Sequence, residues 1–394
     1  MSDPLKLSAQ KRVAEIAPEL IVLSNQLHAD PEIGWQEFRS SAAVAAVLAA
    51  NGFAVEQPYL GVETAFRAVR MPTGPVSFTA GFLAEYDALP GLGHACGHNL
   101  ISAMSVGAAL AVAAVADDCG IAVEVIGTPA EEGGGGKIVL LDRGAFRNLD
   151  LVLMAHPAPV DVAEARPFAV THWHVQYDGR AAHAAAYPER GVNANDAFLV
   201  AQLAIALLRQ QLPAGVRVHG VQTRGGEAPN AIPERTEGRW YVRAETTEQL
   251  LELEARVLKC FEAGALATGA ALTVTPESER YAEMRADEAA LEHYRRNATQ
   301  LGRNFDVDPI AATMNRASTD MGNVSQLVNA IHPYIGVGGE ASNHQPAFAA
   351  ACVGETAERT LCDGAIALAW TAIDVARDRF GVTNERGRHD LHSH

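Results

Sequence analysis

Val123-Glu124-Val125-Ile126-Gly127 is a strand-length, largely apolar run, and Thr128-Pro129-Ala130-Glu131-Glu132-Gly133-Gly134-Gly135-Gly136 follows it directly. A helical stretch over 137–143 comes next, then a second apolar run, Leu151-Val152-Leu153-Met154-Ala155. Runs without a polar face belong to strands covered on both sides. Their alternation with helices predicts a mainly parallel sheet in a three-layer α/β domain.

The same reading extends outward. Val13, Ile16, Leu20, Leu23 and Leu27 recur at helical spacing, so a helix is expected over 5–27, stopping before Asp30-Pro31. A second helix is expected over 37–51 with Gly52 closing it, then strands over 53–55, 65–69 and 76–83. A loop over 90–97 leads into an Ala-rich helix over 99–115. The pattern changes after Pro159. Val170, His172, His174 and Gln176 alternate with Thr171, Trp173, Val175 and Tyr177, a period of two. A helix over 193–211, strands over 216–223 and 236–244, a helix over 247–266 and a strand over 271–275 complete the order β-α-β-β-α-β, that of a ferredoxin-like sandwich. From 286 the α/β alternation resumes, with a helix to 301, a strand over 309–313, a helix after Thr319, a strand over 334–337 and a helix over 355–380. Residues 381–394 read as a frayed polar tail. The expectation is therefore a discontinuous catalytic domain, 1–165 plus 285–394, interrupted by a lid and dimerisation domain over 166–284.

Composition narrows the function. With 31 Lys+Arg against 47 Asp+Glu the chain carries a formal charge of −16, which argues against nucleic acid or an anionic membrane as partner. The longest apolar stretch, over 100–115, falls short of the roughly 20 residues a membrane span needs. The first residues lead into a charged helical pattern without a secretory signal. Five scattered cysteines do not form a disulfide framework, so a cytoplasmic location is expected.

Chemistry concentrates at the carboxyl ends of the expected strands, where open α/β sheets place their sites. His94-Ala95-Cys96-Gly97-His98-Asn99 follows Glu85-Tyr86-Asp87 and offers imidazole and thiolate, good ligands for zinc-like ions. A buried histidine and an apolar cysteine explain the same residues, and in an extended loop His94 would point the same way as Cys96 and His98. Glu131-Glu132 closes the strand quoted at the outset. A solvated loop explains two acids but not four consecutive glycines, which imply close backbone approach or a tight turn. A phosphate loop would end in Gly-Lys-Ser/Thr and would not carry an anionic pair. His156 and His344 again follow strands. Carboxylate, imidazole and one thiolate together suit Zn²⁺, Mn²⁺ or Co²⁺ and are too rich in nitrogen and sulfur for Ca²⁺ or Mg²⁺.

The chain resembles the dinuclear-metal amidohydrolases that include aminoacylases, glutamate carboxypeptidase and the indole-3-acetyl-amino-acid hydrolases. The resemblance rests on His28-Ala29-Asp30-Pro31-Glu32-Ile33-Gly34-Trp35, Ala95-Cys96-Gly97-His98, Pro129 to Gly136 and Asn343-His344. Gly93 to Asn99 and Ser318 to Ser325 look most like the branch that holds aminobenzoyl-glutamate hydrolase and β-alanyl-dipeptidase. It implies two divalent ions, Zn²⁺ foremost with Mn²⁺ or Co²⁺ as alternatives, held by Cys96, His98, Glu132, His156 and His344. It further implies Glu131 as general base, Asp87 orienting a ligand, and His183 as a lid histidine reaching the partner subunit's site in a homodimer. Asn230 matches a lid residue that holds substrate. Asn99 stands where the indoleacetyl relatives carry Asp, and no arginine near Glu340 matches a substrate-carboxylate clamp, leaving Arg243 and Arg316 as substitutes. The expected activity is hydrolysis of an N-acyl, aminoacyl or aroyl amino acid or small dipeptide, with hydrolytic deamination as the second enzymatic reading. A metal-binding regulator without turnover is the reading of another class.

Overall fold

The computed structural model describes residues 3–306 and 317–380. The chain divides into two compact units, one comprising Met1–Arg166 and Met284–His394 and the other Pro167–Glu283. The strand expected over 309–313, Arg316 and the tail over 381–394 lie outside the described residues.

The first unit is built on a six-stranded sheet in the order Ala54–Glu56, Phe66–Arg70, Ile121–Thr128, Phe78–Glu85, Leu151–Leu153, Ala330–Ile331. The last three pairings are parallel, whereas the two at the Ala54 edge are antiparallel, so the sheet is parallel on the side that carries the chemistry. Every residue of Ile121–Thr128 is buried, which requires cover on both faces. Glu124 inside that strand is paired with Arg67 (Nε to Oε2 2.8 Å), so the run tolerates an acid. The Ala-rich helix His98–Ala113 is buried all round, as a helix without a polar face must be. It packs on Phe78–Glu85, and the helices Pro4–Ala29 and Glu355–Phe380 pack against it. No helix among the described residues is long and apolar enough to cross a membrane.

The apolar run over 151–155 does not form one strand. Leu151–Leu153 pairs with Ala330–Ile331, and His156–Ala158 then pairs with Tyr334–Gly336 in a separate two-stranded sheet. Pro333 has no N–H to give, so the ladder is interrupted there. Met154 N still donates to Ile331 O (3.2 Å) and His156 N to Pro333 O (2.9 Å). The break turns His156 out of the main sheet's alternation.

The second unit is a four-stranded antiparallel sheet in the order Ala271–Pro276, Ala169–Asp178, Arg235–Ala244, Arg217–Arg224, the strand order of a ferredoxin-like sandwich. The helices Ala194–Arg209 and Thr247–Thr268 cover one face. Its own core includes Tyr177, Phe198, Trp240 and Phe261, with Trp240 and Phe261 ring centres 5.4 Å apart. His172 lies on the other face, edge-on to Tyr241 at 4.3 Å, a sheet residue and not part of any donor cluster among the described residues. Val170 and Tyr281 exchange two backbone hydrogen bonds of 3.0 Å, so the strand that enters this unit and the segment that leaves it are tied side by side.

Candidate metal centre

The site is assembled where the Phe78–Glu85 and Ile121–Thr128 strands end. Ser102, one turn into the His98–Ala113 helix, donates to Glu85 O at 2.6 Å and locks the strand end to the helix start. Gly97 makes that junction. At φ +82° it adopts the left-handed conformation, and a Cβ there would meet Pro157 Cβ at 2.8 Å. Because of this turn the segment 94–98 is not extended. His94 stacks on His28 (ring centres 6.3 Å) and joins none of the donor clusters among the described residues, so the equivalence of His94 and Cys96 does not hold.

The glycine run is explained by contact. A Cβ on Gly136 would lie 1.8 Å from Pro129 O, and one on Gly134 2.7 Å from Trp35 Nε1. The loop is folded back on itself just behind the two acids. Ala130, the residue before Glu131, sits at φ +54°, and His344 at φ +67°. Non-glycine residues in this region carry strain that the surroundings must hold, and such residues gather at functional sites. Here Glu37 Oε1 accepts from Ala130 N at 2.7 Å, and His344 N donates to Ala95 O at 2.9 Å.

Four donor groups result among the described residues, one of carboxylates alone (Glu85, Glu131 and Asp320) and three that include imidazole. Cys96, Glu132 and His344 each place a ligand atom within 4.8 Å of the others; so do His98, Glu131 and Glu132; so do Glu85, His98 and His156. Glu132 belongs to the first two and His98 to the last two, so the groups are one continuous cluster. His344 Nε2 and His98 Nε2 lie 3.7 Å and 3.8 Å from Glu132 Oε1. Two donors on one tetrahedral ion stand roughly 3.3–3.6 Å apart, so these spacings fit divalent ions with small adjustments.

Hydrogen bonding fixes which atoms are free to ligate. His98 Nδ1 faces Asp87 O at 2.8 Å and Asp87 Oδ1 at 3.1 Å, both acceptors, so a ring proton sits on Nδ1 and Nε2 is the atom turned toward the acids. His156 Nδ1 likewise faces Pro157 O at 2.8 Å. Asp87 Oδ2 also accepts from Glu132 N at 2.9 Å, so one buried carboxylate orients two members of the cluster.

The electrostatics are those of a cluster built for cations. Burial, with Glu132 and Glu85 next, pushes Glu131 well above the usual carboxylate range. Burial and Glu132 do the same to the Cys96 thiol. For His98 burial acts downward, but Asp87 and Glu85 outweigh it and raise its proton affinity. His156 falls to about 3 through burial and the neighbouring His332.

Sequence reading did not reach the charges beneath. Lys137 is fully buried, its Nζ 2.6 Å from Glu85 Oε1 and 2.6 Å from Asp320 Oδ1. Asp320 Oδ2 accepts from Lys137 N at 2.9 Å as well. The available signal was a lone lysine opening a helix directly after the glycine run. His28, Asp30 and Glu32 of the early motif are scaffold: His28 bonds Ala349 O at 2.9 Å, Asp30 pairs with Arg39, and Glu32 Oε2 accepts from Ser40 N at 2.7 Å.

In the second unit His183 is exposed, and its Nδ1 accepts from Ala186 N at 3.2 Å. Asn230 is its neighbour, its carbonyl bonded by Ala184 N at 3.0 Å and His183 bridging Ala231. Arg243 is apart from them, on the sheet, with Nε 3.3 Å from His219 Nε2.

Comparison with known proteins agrees with this architecture. A mouse (Mus musculus) Xaa-Arg dipeptidase is 40% identical over 94% of this chain and 89% of its own length. One of the p-aminobenzoyl-glutamate hydrolase polypeptides of Escherichia coli is 31% identical over 62% of this chain and 55% of its own. The crystal structure of a Bacillus subtilis dinuclear metal binding peptidase superposes with a TM-score of 0.69 at 18% identity, covering 92% of this chain and 99% of the other. The model of peptidase family M20/M25/M40 matches residues 81–361, so this chain belongs to that family and is a hydrolase of amide or peptide bonds.

Proposed function

We propose that the protein is a dinuclear metallohydrolase that cleaves the amide bond of a dipeptide or N-acyl amino acid, with Zn²⁺ as the first metal to test and Mn²⁺ or Co²⁺ next. The observation that carries this reading is the sharing of Glu132 between the Cys96–His344 group and the His98–Glu131 group. The likeness to a Bacillus subtilis peptidase described as dinuclear supports it. Cys96, His98, Glu132, His156 and His344 would hold the ions, which supply Lewis acidity and bring the pKa of water down toward roughly 7.

Glu131 acts as general base on the attacking water and then delivers the proton to the leaving nitrogen. A carboxylate placed there can take the water's proton and return it to the leaving group, one residue serving as base and then acid. Asp87 keeps His98 and Glu132 in register. His183 donates to the carbonyl oxygen as negative charge grows there, and Asn230 beside it helps hold substrate. Arg243 is the candidate partner for the substrate carboxylate. Dipeptides ending in arginine head the substrate panel, on the strength of the mouse relative. The test is a release assay over dipeptides, N-acyl and aroyl amino acids with metal-loaded protein and chelator reversal. No turnover of any amide under these conditions refutes the proposal.

Loading should be strongly pH-dependent. Cys96 and His98 both hold protons near neutrality, and both must lose them to ligate. Protons therefore compete with the ion, and affinity rises with pH by about tenfold per unit for each proton expelled. Zn²⁺ titration calorimetry in two buffers of different ionisation enthalpy, at two pH values, reads the number released. A pH-independent affinity contradicts this ligand set.

The protein is further proposed to act as a homodimer through its second unit, in the cytoplasm, where its five free cysteines, Cys96 among them, stay reduced. Leu199, Leu203 and Leu207 stand 63%, 61% and 68% exposed at four-residue spacing on the Ala194–Arg209 helix, and Arg217–Arg224 is an edge strand. Such a leucine row is costly to leave in water. Leu203→Glu is expected to convert a dimer to a monomer in light scattering. Mixing Glu131→Gln with His183→Ala protomers is expected to restore activity if His183 serves the partner's site.

A further inference from the structure

Glu85 is the last residue of the Phe78–Glu85 strand and is completely buried. Its two oxygens have different neighbours. Oε1 is 2.6 Å from Lys137 Nζ, a close ion pair. Oε2 is 3.3 Å from His98 Nε2, which is too long for a hydrogen bond between charged partners, normally about 2.7–2.9 Å. It is, however, the separation of two donors on one tetrahedral ion, roughly 3.3 Å for nitrogen and oxygen ligands. His98 has already given its Nδ1 to Asp87, and His156 its Nδ1 to Pro157 O, so both rings keep Nε2 for other work. Glu85, His98 and His156 lie within 4.8 Å of one another by their ligand atoms, and all three are buried.

We infer that Glu85 is a further protein donor to the metal centre, at its His98–His156 end, and that Lys137 is the positioning residue that turns Oε2 toward it. The inference rests on the dinuclear reading given above. Lys137 can hold that orientation because Asp320 grips it twice, at Nζ (2.6 Å) and at its backbone N (2.9 Å). The arrangement also balances charge. Cys96 and His344 include one anionic donor of their own, and without Glu85 the His98–His156 end has only neutral imidazoles and its share of Glu132. Glu85 supplies the missing anion, while Lys137 and Asp320 compensate each other beneath it.

The test compares the full-length protein with Glu85→Ala and with the double variant Glu85→Met/Lys137→Met, each titrated with Co²⁺. Bound metal is measured by elemental analysis after gel filtration and by the visible spectrum. The wild type is expected to take up two ions per chain. Both variants should keep one, with the thiolate-to-cobalt charge-transfer band of Cys96 intact, and bind the second about 100-fold more weakly or worse. The double variant removes Glu85 together with its cation, so only Asp320, still bonded by the backbone N of residue 137, is left without a counter-charge, and it decides the question if Glu85→Ala fails to fold. Retention of the second ion within about threefold in the double variant overturns the inference while leaving the dinuclear centre in place. A wild type that takes up fewer than two ions overturns the dinuclear reading and the inference with it.

Discussion

Glu131→Gln should leave the bound metal unchanged and lower kcat by about 10³-fold, within the 10²–10⁴ range typical of a positioned general base. Gln is isosteric, so the loop behind it, held by Glu37 on Ala130 N and by the contacts at Gly134 and Gly136, keeps its shape. What is lost is the capacity to accept and return a proton. The loss should fall on kcat with little change in KM, because Glu131 meets the reacting water and not the resting substrate. Metal content by elemental analysis and steady-state kinetics on the same preparation check this. A variant within threefold of wild type removes Glu131 from the role of base.

Lys137→Met should destabilise the metal-free protein by about 3–5 kcal/mol at pH 8, the usual consequence of breaking a buried ion pair by deleting one partner. Glu85 and Asp320, both fully buried, are left facing each other without a cation. The loss should shrink in acid. Burial already lifts Asp320 to about 6 even with Lys137 beside it. A carboxyl whose folded pKa lies above its unfolded value favours the folded state below the unfolded pKa and loses that contribution as pH rises through the folded one. Removing Lys137 widens the gap, so the deficit of the variant should be smaller at pH 5 than at pH 8. Urea unfolding at pH 5 and pH 8 gives the two values. Equal deficits at both pH values would show that lost packing, and not stranded charge, governs the effect.

Local patterns carried much of this molecule into view. The terminal helix Glu355–Phe380 occupies the expected span because a long apolar face and charged ends leave no other reading. The ferredoxin-like strand order followed from one change of period after Pro159. The four glycines were legible as close approach, and Gly136 against Pro129 O is that approach. Elsewhere the deciding partner is distant in sequence. Lys137 and Asp320 are 183 residues apart, and no spacing rule links a helix-opening lysine to an acid near a short helix. The resemblance names Asp87 and is silent on Glu85, and two acids at one strand end look alike in sequence until their neighbours are seen. The left-handed Gly97 separated His94 from its neighbours, and that single torsion cannot be read from composition.

The paired backbone bonds between Val170 and Tyr281 give the inserted unit the character of a cassette. Its entrance and exit are clasped together, and it encloses its own aromatic core, so its interior and rim can diversify without disturbing the strand ends that carry the acids and imidazoles. Exchange of such a module, grafted at that clasp, is a route by which one hydrolytic centre can come to accept new substrates.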